Sequence, residues 1–223
     1  FHIQNAFRFN TICRKQKTSR QLREKELTNR LKKDLPGTSV HKEFSPLRSY
    51  DLSATKYRES AVAIHLVFHQ NEIELILIKR SSYNGAHSQQ IAFPGGKAES
   101  SDTNLEYTAR RESQEEIGIP ISNGICLGEL SPVLIPVSEF RVTPYIFAHN
   151  TYPELNADER EVDEIIRCHL SDIDTYTNKS YQNVEAKAGL ILKNVPGISY
   201  KRHFIWGATA LMIHELNCII KKL

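Results

Sequence analysis

The chain has 223 residues, 40% hydrophobic and 25% charged, the balance of a folded globular domain rather than a disordered one. No apolar run approaches the ~18–20 residues of a membrane-spanning helix, and Cys13, Cys126, Cys168 and Cys218 form no C-x-x-C pair; this argues against a zinc site or disulfide framework and for a reducing, cytoplasmic setting. The net charge of +3 is lopsided, with ten Lys/Arg against two Glu in residues 1–33 and 19 against 24 Asp/Glu in the rest, so the basic excess belongs to an N-terminal arm and does not make the body a nucleic-acid binder.

Residues 1–37 are expected to form a basic helical extension, with a surface helix around Ser19–Lys33 that stops before Leu35-Pro36-Gly37. The alternative, an acid-poor targeting segment, lacks the apolar core of a secretory signal. Residues 38–223 form the main domain and open on a polar, turn-rich wrap over 38–59. Ala61–Phe68 and Glu72–Lys79 read as strands of one hairpin. A polar loop, Ser81–Gln90, leads to a short strand, Ile91–Phe93, and the Pro94-Gly95-Gly96 turn.

A helix follows. Thr103 and Glu106 fit a capping box, and Gly118 and Pro120 supply the stop, glycine at the cap and proline beyond it. At about 100° per residue, Glu112, Glu115 and Glu116 continue the stripe of Leu105, Thr108 and Ala109, the expected inward face, with Arg111 beside them. Like charges at i,i+3 and i,i+4 each cost an isolated helix about 0.2–0.5 kcal/mol, and burial without a partner costs more. One arginine does not neutralise three carboxylates. Either the run is a solvated acidic surface, or it holds a hard divalent cation; oxygen ligands favour Mg²⁺ or Mn²⁺ over zinc.

Beyond the helix, Ile125–Leu130 and Val142–His149 are expected strands around a loop with Pro132, Pro136 and Glu139. Glu159–Ile166 is an acidic approach to another strand. Val184–Lys193 and Ser199–Phe204 suggest a second hairpin turning at Asn194–Gly197, and Ile205–Ile220 a terminal helix. Hairpin-linked strands with a central and a terminal helix make an α+β fold with a mixed sheet.

The segment Gly96-x5-Asp102-x8-Arg111-Glu112-Ser113-x-Glu115-Glu116-x-Gly118-Ile119 resembles the signature box of the Nudix hydrolases, G-x5-E-x7-R-E-U-x-E-E-x-G-U, where U is bulky and apolar. Asp102 replaces the first Glu, the spacer is one residue longer, and Ser113 takes the first U position. The first two departures also occur in the coenzyme A pyrophosphatase branch, whose leader is similar to Ile76–Ser81 and Ile91–Gly96 here. Gly85 and Gln89 stand where that leader has Arg and Gly. Pro136-x-Ser138-x-Phe140, Glu161–Ile165 and Ile205-Trp206-Gly207-x-Thr209-Ala210 also resemble the branch, so the likeness spans about residues 20–220.

The resemblance implies a Nudix-like mixed β-sheet sandwiched between helices (α/β/α), and Mg²⁺- or Mn²⁺-dependent attack of water on a nucleoside diphosphate linked to X. Glu112, Glu115 and Glu116 are then the metal ligands, with a backbone carbonyl of the Gly95-Gly96 turn (Gly96) as a further one, and Arg111 orients a glutamate. The general base is Glu116 or a member of Glu161–Glu164, with Glu164 a candidate; a plain acidic loop is the alternative for the latter. Arg80 and Lys97 are candidate phosphate contacts flanking the box and Phe93 a candidate beneath it, with surface charge or core residue as the equal alternative for each. If the substrate is coenzyme A, either its 3′-phosphate meets Lys79, Arg141 or Arg202 in place of the arginine absent at Gly85, or that contact is missing. His87 is a candidate substrate contact or a plain loop residue, and Trp206 is core. The expected partner is a small-molecule nucleotide, with neither membrane nor nucleic acid, and a homodimer is the assembly to test. Other diphosphate substrates, a catalytically silent nucleotide sensor and a basic-arm nucleic-acid binder are the competing functions.

Overall fold

The computed structural model describes residues 20–33, 35–45, 57–69, 72–82, 87–187 and 189–221. Gly85, in the polar loop, and residues 1–19 of the arm lie outside them. Strand β1 (Arg58–His69) is the spine of the molecule. It pairs antiparallel with β2 (Glu72–Arg80), His65 opposite Ile76, and parallel with β7 (Phe140–His149), His65 opposite Phe147. The sheet order is β3 (Ile91–Ala92), β2, β1, β7, β5 (Ile125–Glu129). Three further strands lie off this path: β4 (Gly95–Lys97) pairs with β1, β6 (Val133–Ile135) with β7, and β8 (Val162–His169) with β2. A second sheet holds β9 (Lys179–Lys187), β10 (Leu190–Tyr200) and β11 (His203–Trp206).

Successive strand residues point to opposite faces, and β1 shows what each face is for. Ile64, Leu66 and Phe68 join the main core with Leu27 and Leu31 of α1 (residues 20–31), Phe44 of α2 (Thr38–Phe44) and Leu211, Ile213 and Leu216 of α4 (Gly207–Ile220). Ala61 and Ala63 pack with Ala109 of α3 (Leu105–Ile117), and Val67 with its Ile117. Small residues on both surfaces let α3 lie close to the sheet. The expected sandwich of a mixed sheet between helices is present. The helix of the arm is part of it, since Leu27 is fully buried. The wrap over 38–59 carries a helix, α2, held by a buried side chain: Glu215 of α4 accepts from Gly37 N (3.0 Å) and Ser131 Oγ (2.7 Å) and bonds His41 Nε2 (3.1 Å).

Three local readings need correction. Asn104, not Thr103, caps α3, its Oδ1 accepting from Tyr107 N at 2.8 Å; Gly118 ends the helix in the left-handed conformation as expected. Asn194–Gly197 is no turn. Asn194 adopts φ 55° inside β10 at a register shift against β9, and an Asn with positive φ serves a bulge as readily as a turn. Lys201 and Arg202 make the turn into β11. Trp206 is half-buried rather than core. The short β4 and β6 carry too few residues for an alternating pattern and were not expected.

Candidate active site

The Gly95-Gly96 strand, β4, lies against β1 where α3 crosses it. A Cβ on Gly95 would stand 2.4 Å from the Ala61 carbonyl, and one on Gly96 2.5 Å from the Glu112 carboxylate. Gly95 therefore needs glycine to pair with β1, while the hydrogen of Gly96 leaves the Glu112 carboxylate its place beside the strand.

The carboxylates of α3 fan across the helix edge instead of all turning inward. Glu116 is 1% exposed; its Oε1 accepts from Arg80 Nη1 (3.1 Å) and its Oε2 from Gly95 N (2.8 Å). Glu112 is half-buried and Glu115 exposed, and Arg111 Nη1 donates to both at 2.9 Å. Burial pushes the Glu116 carboxyl up to about 7, against the pull of Arg80 and the Gly95 N–H. It raises Glu112 as well, against Arg111. Two arginines face Glu112, Glu115, Glu116 and Asp102, so the site retains excess negative charge.

Arg111 is the hub. It donates in parallel to Asp102, Nε to Oδ1 at 3.0 Å and Nη2 to Oδ2 at 3.1 Å, and to the Lys97 carbonyl at 3.1 Å. Asp102 also accepts from Thr108 Oγ1 and Glu99 N. The residue replacing the first Glu of the box thus joins the loop after β4 to the helix.

Of the other candidates, Arg80 lies in the site, Lys97 contributes its carbonyl and an exposed side chain, and Phe93 is buried in the main core. Glu164 pairs with Arg202 (2.8 Å) and lies near His203 (3.6 Å). In the turn before β8, Glu161 adds to the upward push on the Glu112 and Glu116 carboxyls. His87 bonds Gln90 and Ser138. The pairing of Arg80 with Glu116 is a contact between β2 and α3 that spacing along the chain does not reveal.

Carboxylates along a helix edge beside a glycine strand, set on a mixed sheet between helices, mark a class of hydrolases that attack phosphorus-containing acid anhydrides. The NUDIX domain model matches residues 57–188. A Nudix hydrolase NudL of Pectobacterium atrosepticum is 35% identical over 159 residues, 71% of this chain and 81% of that protein. NudL of Yersinia enterocolitica is 35% identical over 157 residues, 70% of this chain and 78% of that one. A solved MutT protein from Methanosarcina mazei Go1 aligns at 18% identity and TM-score 0.49, over 75% of this chain and 96% of that chain.

The chain belongs to the Nudix family. It is a hydrolase of phosphorus-containing acid anhydrides, in a family whose members generally use divalent metal ions. No helix among the described residues is long and apolar enough to cross a membrane.

Proposed function

We propose that the protein cleaves the diphosphate of coenzyme A or an acyl-CoA, releasing adenosine 3′,5′-bisphosphate and (acyl-)4′-phosphopantetheine, with Mg²⁺ or Mn²⁺. The backbone at Gln89 carries the choice of branch. Gln89 stands where the branch leader has Gly and adopts φ 61°, the left-handed conformation that glycine favours. The departure thus keeps the shape that the glycine would provide. In addition, Thr209 Oγ1, from the Ile-Trp-Gly element, donates to the Ile91 carbonyl at 3.0 Å, so two separate stretches of the resemblance meet next to the glycine turn.

Among the described residues no three His, Cys, Asp or Glu side chains stand together as a ready-made ligand set; arginines hold the carboxylates instead. The donors nonetheless fit a hard divalent ion. They are all oxygen, they outnumber the arginines, and Gly96 leaves the Glu112 carboxylate room beside the turn. Glu112, Glu115 and Glu116 would hold the ion, with the Gly96 carbonyl. Asp102 and the Lys97 carbonyl keep Arg111 anchored when Glu112 and Glu115 turn away from it. Once bound, the ion supplies phosphate-charge neutralisation and a more acidic attacking water.

Arg80 Nε is buried with no hydrogen-bond partner among the described residues, a donor left for a phosphate oxygen. Lys97 adds an exposed cation. Glu116 is the assigned base. In the later loop Glu161 is favoured over Glu164, whose carboxylate Arg202 occupies.

The test is product analysis after incubation with coenzyme A and Mg²⁺ or Mn²⁺, alongside ADP-ribose and a Glu115→Gln control. Adenosine 3′,5′-bisphosphate plus 4′-phosphopantetheine, lost in the control, is the expected result. Turnover of ADP-ribose alone would keep the chemistry and discard coenzyme A.

A further inference from the structure

Position 113 is bulky and apolar in the general box pattern and serine here. Ser113 is completely buried on the sheet side of α3, between the turns that carry Glu112 and Glu116. A buried hydroxyl needs a partner. His65 Nε2 of β1 lies 2.7 Å from Ser113 Oγ, and His65 Nδ1 lies 2.8 Å from His149 Nε2 of β7. Both histidines are 2% exposed. A chain of polar contacts therefore runs from the carboxylate helix through the central strand to its parallel neighbour.

The surroundings keep this chain neutral. Arg110 of α3 is the charged group facing it, the Phe147 ring packs 5.5 Å from the His65 ring, and a Cβ on Gly124 would stand 2.9 Å from His149 Cε1. Burial and the Arg110 cation hold both imidazoles below their usual range, His149 at about 4. With neutral rings, one run of donors satisfies both nitrogens of His65, whether it begins at His149 or at Ser113.

The apolar part of the α3–β1 contact is Ala61 and Ala63 against Ala109, with Val67 on Ile117. Such packing attracts without direction, whereas a hydrogen bond weakens steeply off its angle. On a helix of about 5–6 Å outer radius, a rotation of about 20° carries a side-chain tip some ~2 Å, enough to spoil a ligand set.

We propose that Ser113 and His65, backed by His149, are positioning residues that fix the rotation of α3 from its sheet side, as the Arg111–Asp102 fork does from its edge, and with it the convergence of Glu112, Glu115 and Glu116 on one divalent cation. This rests on the assignment of those carboxylates as the cation ligands.

The experiment is a Mn²⁺ titration of the metal-free full chain, followed by the EPR signal of free Mn²⁺, with thermal midpoints and turnover of coenzyme A alongside. Ser113→Ala is expected to weaken Mn²⁺ binding about tenfold and to lower kcat with little change in KM. Because that variant strands a buried imidazole, His65→Leu/Ser113→Ala/His149→Leu is measured with it; removing all three polar partners restores an apolar contact and much of the stability. The triple variant should melt near wild type yet bind Mn²⁺ as weakly as the single one. Wild-type Mn²⁺ affinity in a folded triple variant would overturn the proposal and leave the triad as core filling. Failure of the wild type to bind Mn²⁺, or undiminished binding by Glu115→Gln, would instead overturn the ligand assignment, and the positioning role with it.

Discussion

Arg111 and Asp102 meet fork to fork, two parallel hydrogen bonds of 3.0 and 3.1 Å that tie α3 to the loop after β4. Such paired, charge-assisted bonds are stronger than neutral ones and demand guanidinium geometry. Arg111→Lys keeps the charge but loses the fork. It should lower kcat at least ~10-fold while the fold persists, as steady-state kinetics and circular dichroism would show.

The same pair makes a pH prediction. The Arg111 hydrogen bonds hold Asp102 at about 2, below its ordinary 3.8. A carboxylate with a depressed folded-state value contributes stability that is complete above the unfolded value and lost as pH falls through the folded one. Asp102→Asn should therefore cost about 2 kcal/mol at pH 7, with the gap to wild type closing between about pH 4 and pH 2. Urea unfolding of both proteins across that range checks the sign.

Adjacent glycines should fail differently. Gly96→Ala meets the tip of the Glu112 side chain, which can swing aside; activity should fall at least ~10-fold with the melting temperature nearly unchanged. Gly95→Ala drives a methyl into the Ala61 carbonyl and Val62 Cα of β1, and should cost about 1–3 kcal/mol or more. Calorimetry and kinetics on the two variants separate the effects.

Gln89 holds a left-handed backbone at φ 61°. Gln89→Gly should be neutral or stabilising by up to about 1 kcal/mol, and Gln89→Val destabilising by more than that. Equal stability of the two variants in urea would contradict this.

Glu215 is fully buried, accepts from Gly37 and Ser131 and bonds His41. Removing one partner of a buried charged network typically costs about 3–5 kcal/mol. Glu215→Ala should loosen α2 first, visible as faster hydrogen exchange of the His41 and Ser45 amides.

The local grammar of this chain was legible without coordinates. β-Branched runs placed β1, β2 and β7, the glycine-then-proline stop placed the end of α3, and the box motif placed the family. All of these are signals within a few residues. Ser113 is also visible in the sequence, yet only as a departure, because its partners His65 and His149 are 48 and 84 residues away from Ser113 and His65 respectively. Arg80 opposite Glu116 and Leu27 of the arm inside the main core were decided by tertiary packing alone. Periodicity assigns a residue to a face of its own element. Which face of another element lies opposite is set by how β1 is shared among β2, β7 and α3, and no short stretch of sequence encodes that.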